Sequence, residues 1–312
     1  METLPTNPVL LFRPDTLQSV RKLNNFEDPK KLDEAIDILQ EWARKQPHFV
    51  VKEFDRDFLE RIIIFNKGLL ERSKTRLDKY CTLHNLMPEF FRPIHIINDL
   101  SNLEFMKDAI MPQLTPEHYR IYILKNTGQQ FTSKVLLDYY IRLVNFWQYA
   151  MRYDYYAGVI CVYDVSEANL MDLVTSMNMT YMRQMLTVIM EGFGARLKAV
   201  YTVSDSKVVS TLHDLVRPLL SKKLADRVHV LNNINLLKEK VPIDIMPVEY
   251  GGKEKPLAEL HQNWLNVLTS DDQLEYMKKM SEVKTDESLR PADKFNQDYM
   301  GMAGTFRTLN VD

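Results

Sequence analysis

Four short apolar runs, separated by long stretches of helical periodicity, constrain the fold of this chain more than any other feature. Their β-branched and aromatic residues are typical of strands, whereas the stretches between them, such as 133–153 and 178–191, have helical spacing. Strands that alternate with helices predict right-handed crossovers and an α/β fold with a mainly parallel sheet covered by helices. The four runs are HYRIYILK (118–125), AGVICVYD (157–164), RLKAVYTV (196–203) and RVHVL (227–231).

The sequence before these runs predicts a helical lobe. Only 9 of the 312 residues are glycine, which favours helices over turn-rich architecture. Asp28 and Pro29 form a helix start that leads into apolar spacings of three and four over 28–46. We therefore expect a helical N-terminal domain at 1–91, with further helices at 55–67 and 69–85. The α/β lobe is then expected at 92–252, and a C-terminal piece at 253–312, with one helix at 257–268 followed by a polar stretch.

Composition and charge argue against several classes of protein. With 40 basic and 42 acidic side chains, the net charge of -2 gives no reason to expect nucleic-acid binding. The two cysteines, Cys81 and Cys161, fit neither a disulfide framework nor a zinc site, so both are expected to be reduced and structural. The N-terminus lacks the basic start of a signal peptide, and no apolar run approaches the ~20 residues of a membrane span. We expect a cytoplasmic protein.

Catalytic and metal-binding motifs are not found in this sequence. It contains no G-x-S-x-G, H-E-x-x-H or G-x-x-x-x-G-K-[ST] pattern. The seven histidines show no metal-ligand spacing. We therefore expect neither enzymatic activity nor a cofactor or bound metal.

The segment VPIDIMPVEYGG at 241–252, together with the sequence that precedes it, carries a family resemblance. It follows a strand at 197–203, an amphipathic helix at 208–220, a basic turn at 221–227 and a strand at 228–231. This order, closed by P-x-E-Y-G-G, resembles the CRAL-TRIO lipid-transfer family, and within it the branch of the α-tocopherol transfer proteins. The run Gly158–Asp164 also resembles the family's G-x-x-x-x-x-D strand.

Two turns differ from the family pattern. Phe193-Gly194 replaces the family's Y-P, and Ser204-Asp205-Ser206 replaces its N-x-P. Because both lie at turns, we expect altered loop geometry and an intact fold. The ending MAGTFRTLNVD resembles the terminus of some family members and is expected to pack back on the body.

The resemblance implies a carrier of a hydrophobic lipid, such as a tocopherol, a retinoid or a carotenoid, with a mobile lid helix over an apolar cavity. The helix at 208–220 is apolar over more than half of its circumference, which suits a lid, although an ordinary packed helix is the alternative. The lid residues are Val208, Val209, Leu212, Leu215, Val216 and Leu219, and the candidate cavity residues are Tyr140, Phe146, Trp147, Ile160, Val162, Tyr181, Met185 and Ile189.

Four basic residues form the second candidate site. By resemblance, Arg196, Lys198, Lys223 and Arg227 would form a groove for phosphoinositide head groups such as phosphatidylinositol bisphosphate. Such a groove would give transient membrane association. The alternative is that these four side chains form a scattered, solvated surface. A different class of function also remains open, namely a phosphoinositide-responsive adaptor or scaffold with a vestigial lipid pocket.

Overall fold

A five-stranded sheet forms the centre of the structure, a computed structural model that describes residues 3–290; the expectation for the C-terminal ending lies outside these residues. The strands lie side by side in sequence order. The first pairs antiparallel with the second, and the other pairs are parallel. This arrangement confirms the predicted α/β fold with a mainly parallel sheet. The strands are β1 (Met106–Ile110), β2 (Tyr119–Asn126), β3 (Gly158–Asp164), β4 (Leu197–Val203) and β5 (Val228–Leu231).

Helices precede the sheet, connect its strands and follow it. Short 3-10 turns extend several of them, and a π-helical turn at Val188–Gly192 continues α9. The helices are α1 (Thr16–Lys22), α2 (Pro29–Arg44), α3 (Arg56–Phe65), α4 (Leu70–Leu86), α5 (Pro88–Phe91), α6 (Ile96–Asp99), α7 (Ser133–Tyr153), α8 (Leu170–Thr175), α9 (Met179–Thr187), α10 (Val208–Val216), α11 (Lys222–Ala225), α12 (Leu257–Leu268) and α13 (Asp271–Ser281).

Two elements differ from the sequence expectations. Strand β1 was not predicted, because its five residues include Lys107 and Asp108 and give no apolar run. Tertiary contacts account for it, since Asp108 is fully buried. Helix α13 lies where a polar stretch was expected. Ser270 caps its start by accepting a hydrogen bond from the backbone N–H of Gln273, and Met277 and Met280 provide its buried side.

The strand order determines where the connecting helices lie. Because β2 to β5 follow one another in space as in sequence, right-handed crossovers bring the connecting helices to one face of the sheet. Side chains alternate between the two faces of each strand. Tyr122 and Leu124 of β2 therefore share a face with their register partners in β3, Cys161 and Tyr163. This face points towards α7 to α10.

The P-x-E-Y-G-G segment ties the end of the α/β lobe to the sheet and to α12. The hydroxyl of Tyr250 donates to Asp164 Oδ2 at 3.0 Å, at the carboxyl end of β3. The carboxylate of Glu249 accepts a hydrogen bond from the backbone N–H of Leu257 at 2.9 Å, at the start of α12. Gly251 has φ +83°, and a Cβ on Gly252 would lie 1.8 Å from the carbonyl oxygen of Met246. Only glycine fits both positions without rearrangement.

Candidate functional site

An apolar cavity of about 340 Å³ lies between the sheet and its connecting helices. Its floor is one face of the sheet, to which all five strands contribute. The register makes this face continuous, because Tyr122 pairs with Cys161, which in turn pairs with Val200. The sheet residues that line the cavity are Met106, Tyr122, Leu124, Asn126, Cys161, Tyr163, Leu197, Val200, Thr202 and Val228.

The helices supply the walls and the cover of the cavity. Helix α7 contributes aromatic and aliphatic side chains, and the segment from α8 to the π-helical turn after α9 contributes four methionines. Unbranched thioether side chains adapt to ligands of irregular shape. Helix α10 and the turn after it complete the cover. The lining residues of these elements are Leu136, Tyr139, Tyr140, Leu143, Trp147, Leu173, Met177, Met182, Met185, Leu186, Ile189, Met190, Leu212, His213, Asp214, Val216, Arg217 and Leu220.

Six of the residues predicted from the sequence line this cavity. They come from three helical segments that lie far apart in the chain. Two of the six belong to α10, the helix expected to be the lid. The six residues are Tyr140, Trp147, Met185, Ile189, Leu212 and Val216.

The other predicted residues lie elsewhere, and the strand register corrects two of them. Ile160 and Val162 alternate with Cys161 and Tyr163, so they belong to the opposite face of β3. Phe146 is fully buried beside Trp264 of α12, with ring centroids 5.0 Å apart. The remaining residues are absent from the lining within residues 3–290: Tyr181, Val208, Val209, Leu215 and Leu219.

The sequence does carry a signal for the cavity face of the strands. Tyr122, Tyr163 and Thr202 place hydroxyl groups on the cavity face, whereas the alternate positions of β2, such as Ile121 and Ile123, are purely aliphatic. A dry packed interior rarely takes so many polar tips, because each needs a hydrogen-bond partner. A polar-tipped side chain within an apolar strand, such as Tyr122 between Ile121 and Ile123, therefore indicates the cavity face.

Helix α10 closes the cavity with side chains that are incompletely buried. Leu212, Leu215 and Val216 are half-buried. A hydrogen bond of 3.2 Å joins His213 Nε2 to Thr202 Oγ1 and so holds α10 against β4. Desolvation lowers the pKa of His213, although the charge of Asp214 opposes this shift. At neutral pH the imidazole is therefore neutral, as a cover over an apolar cavity requires.

A cationic groove of about 530 Å³ lies beside the cavity. All four basic residues predicted from the sequence line it, and the N-terminal lobe adds four more. Within residues 3–290 none of the four predicted residues forms a salt bridge with a carboxylate. The eight basic residues of the groove are Lys67, Arg72, Arg76, Lys79, Arg196, Lys198, Lys223 and Arg227.

Each predicted cation is positioned by its own contact. Arg196 Nη1 donates to Asn24 Oδ1 at 3.2 Å, which links β4 to the N-terminal lobe. Lys198 Nζ lies 4.9 Å from the ring centroid of Tyr119. The guanidinium of Arg227 donates to the carbonyl oxygen of Leu197. Lys223 is exposed on α11 at the groove's edge.

The cations of the groove lie close enough together to affect the pKa of Lys67. Desolvation lowers the pKa of Lys67, and the positive charges of Lys223, Arg196, Arg72 and Arg227 lower it further. Burial also lowers the pKa of Arg196. These cations repel one another, so a bound polyanion would relieve the repulsion. Sequence reasoning missed the N-terminal cations because only the fold brings them next to β4.

Comparisons with known proteins place this geometry in a family. Residues 105–252 match the CRAL/TRIO domain. A mouse protein, the alpha-tocopherol transfer protein-like protein of Mus musculus, is 21% identical over 256 residues, which make up 79% of this chain and 72% of that protein. The Homo sapiens protein of the same name is 28% identical over 91 residues, which make up 29% of this chain and 27% of that protein.

A solved structure shares the fold. The crystal structure of Sfh5 aligns with a TM-score of 0.51 and 14% identity, covering 86% of this chain and 98% of that one. None of the helices within residues 3–290 is long and apolar enough to cross a bilayer. The matched domain contains the whole sheet, the cavity floor and α10, so residues 105–252 of this chain form a CRAL/TRIO domain, in agreement with the resemblance of the sequence to that family.

Proposed function

We propose that this protein is a cytoplasmic carrier that holds one hydrophobic lipid in the cavity and exchanges it at membranes that contain phosphoinositides. The observation that carries the proposal is the combination of two sites that share β4. Leu197, Val200 and Thr202 line the apolar cavity, while Arg196 and Lys198 line the cationic groove. Docking of the groove on a membrane would therefore bring the cavity and its cover next to the bilayer.

The cavity supports retention of a lipid. Its volume of about 340 Å³ falls within the usual range for small-molecule sites, and most of its lining is apolar. A lipid of about thirty heavy atoms can gain roughly 9 kcal/mol at about 0.3 kcal/mol per atom. That is enough to retain the cargo in a closed cavity between encounters with membranes.

The cover supports exchange at a membrane. Leu212 and Val216 face the cavity, whereas Leu215 is half-buried and lies outside its lining. Opening of such a helix in water would expose apolar surface at a cost, but opening against a bilayer would place that surface in hydrocarbon. The hydrogen bond between His213 and Thr202 is the polar contact that opening would have to break.

The groove supports recognition of an anionic head group. A cation near an anionic leaflet contributes about 1 kcal/mol, so the four predicted cations together contribute roughly 4 kcal/mol. This magnitude suits transient docking and release. The mixed origin of the cations, from β4, the α11 region and the N-terminal lobe, favours a compact polyphosphorylated group over a flat charged surface.

Two measurements test the proposal. Organic extraction of the purified protein followed by mass spectrometry should yield one lipid class in stoichiometric amount. The loaded protein should then deliver a fluorescent lipid faster to vesicles that contain phosphatidylinositol bisphosphate than to neutral vesicles. Binding to these vesicles without any extractable or loadable lipid would instead support the adaptor with a vestigial pocket.

A further inference from the structure

A chain of hydrogen bonds runs from a buried carboxylate into the apolar cavity. The hydroxyl of Tyr122 donates to Asp108 Oδ2 at 3.0 Å. The hydroxyl oxygens of Tyr122 and Tyr139 lie 3.1 Å apart. Both tyrosines line the cavity, whereas Asp108 lies behind them. This hydrogen-bonded chain thus places polar atoms in a cavity whose lining is mostly apolar.

The carboxyl group at the origin of the chain is ionised. Burial raises the pKa of Asp108, but the charge of Arg142 and the hydrogen bonds from His261 and Tyr122 outweigh this effect, so its pKa lies below the usual value. Arg142 Nη2 is 3.2 Å from Asp108 Oδ1. An ionised carboxylate can only accept hydrogen bonds. Burial also raises the pKa of Tyr139 and of Tyr122, so both hydroxyls keep their protons.

Because the carboxylate of Asp108 can only accept, it determines which group donates in each of the two hydrogen bonds that follow. A tyrosine hydroxyl has one proton, and Tyr122 gives its proton to Asp108. The contact between Tyr122 and Tyr139 then requires Tyr139 to be the donor. With its own proton used, the oxygen of Tyr139 offers only lone pairs to the cavity. Tyr163 lines the cavity beside Tyr122, with the ring centroids 6.1 Å apart, and its hydroxyl can donate its proton either to the oxygen of Tyr139 or to a ligand.

We propose that Tyr139 and Tyr163 form an anchor for a hydroxyl group, and that the cargo is a neutral lipid alcohol or phenol. This inference rests on the proposed carrier function. A hydroxyl group can donate to the oxygen of Tyr139 and accept from Tyr163 at the same time. An ether or a ketone can only accept and supplies no donor, so the proton of Tyr163 can satisfy the ligand or the oxygen of Tyr139 but not both. A carboxylate would lack the donor too, and would enter a dry cavity near the charge of Asp108.

A series of ligands with the same chain length tests the anchor. The protein is loaded with a fluorescent polyene hydrocarbon, which is then displaced by hexadecanol, hexadecyl methyl ether, hexadecane or hexadecanoate at neutral pH. Hexadecanol should displace the probe at a concentration about fivefold lower than the ether, the ratio expected for one net hydrogen bond. Hexadecanoate should be the weakest of the three polar ligands.

Two variants and a matched control test whether the preference for the alcohol comes from the hydrogen bonds of Tyr122 and Tyr139. Tyr139→Phe should bring the ratio between the displacing concentrations of the ether and the alcohol close to one. Displacement by hexadecane should stay unchanged. Tyr140→Phe is the control, because Tyr140 lines the same cavity but, within residues 3–290, its hydroxyl has the sulfur of Met182 as its single hydrogen-bond partner, at 3.9 Å. Tyr122→Phe should go further, since Tyr139 loses its acceptor and can donate into the cavity, which raises the affinity for the ether.

The outcomes separate the anchor from the carrier function. Equal displacement by the alcohol and the ether, or equal ratios in the Tyr139→Phe and Tyr140→Phe proteins, would overturn the anchor while leaving the carrier function in place. Failure of the wild-type protein to bind the probe or any of the ligands would overturn both. A gain for the ether in Tyr122→Phe would support the anchor, because loss of packing alone does not reverse a preference.

Discussion

Removal of two charges from the cationic groove should weaken membrane docking by a calculable amount. The double change Lys198→Gln, Lys223→Gln keeps most of each aliphatic stem and removes both charges. At about 1 kcal/mol per cation near an anionic leaflet, the loss is about 2 kcal/mol, or about thirtyfold in the vesicle dissociation constant. Neither side chain lines the lipid cavity, so affinity for a fluorescent lipid in solution should stay the same.

Vesicle sedimentation at several salt concentrations measures this effect. The wild-type protein should lose affinity steeply as salt shortens the Debye length from about 10 Å at 0.1 M to about 3 Å at 1 M. The variant should show a shallower dependence. The matched control is Lys30→Gln, Lys31→Gln, which removes two exposed charges from α2 outside the groove.

Two results would refute this reasoning. If the control weakens binding as much as the groove variant, net charge is responsible and the groove has no special role. If the groove variant loses as much affinity for neutral vesicles as for anionic vesicles, relative to the wild-type protein, Lys198 and Lys223 act through the fold. Circular dichroism and thermal unfolding of all three proteins would identify that second case.

Three further changes test other parts of the structure. Leu212→Asp should abolish retention of a fluorescent lipid, because a carboxylate would face the apolar cavity, whereas Thr211→Asp on the exposed side of α10 should retain it. Trp264→Ala should lower the free energy of unfolding by about 3–5 kcal/mol, as measured by urea titration, since the side chain is buried and donates to the carbonyl oxygen of Ile110 at 2.8 Å. Burial lowers the pKa of His84 from 6.5 to about 4, so its neutral form stabilises the fold fully above pH 6.5. This contribution should be lost as the pH falls from 6.5 towards 4, and His84→Gln should have a flatter pH profile of unfolding; an unchanged profile would contradict the assignment.

Local sequence patterns were sufficient to predict strands β2 to β5, although not β1, and the helix that covers the cavity. The runs at 196–203 and 227–231 became β4 and β5 with one residue less at their starts, and the helix expected at 208–220 is α10, which begins at Val208 and ends at Val216. Periodicity and turn residues act within a few positions of the chain, so the sequence alone can identify such elements. The family resemblance also pointed to Arg196, Lys198, Lys223 and Arg227, four of the eight basic residues that line the groove, and their binding of a head group stays a prediction.

Tertiary structure decided which side chains meet. Ile160 and Cys161 belong to an apolar strand buried on both faces, so nothing in their local pattern shows which of them faces the cavity. The pairing of β3 with β2 and β4 settles that choice. In the same way, Lys67 joins the groove only because the N-terminal lobe packs beside β4. Periodicity shows how apolar and polar residues alternate along a segment, but only the fold determines which residues pack against each of its faces.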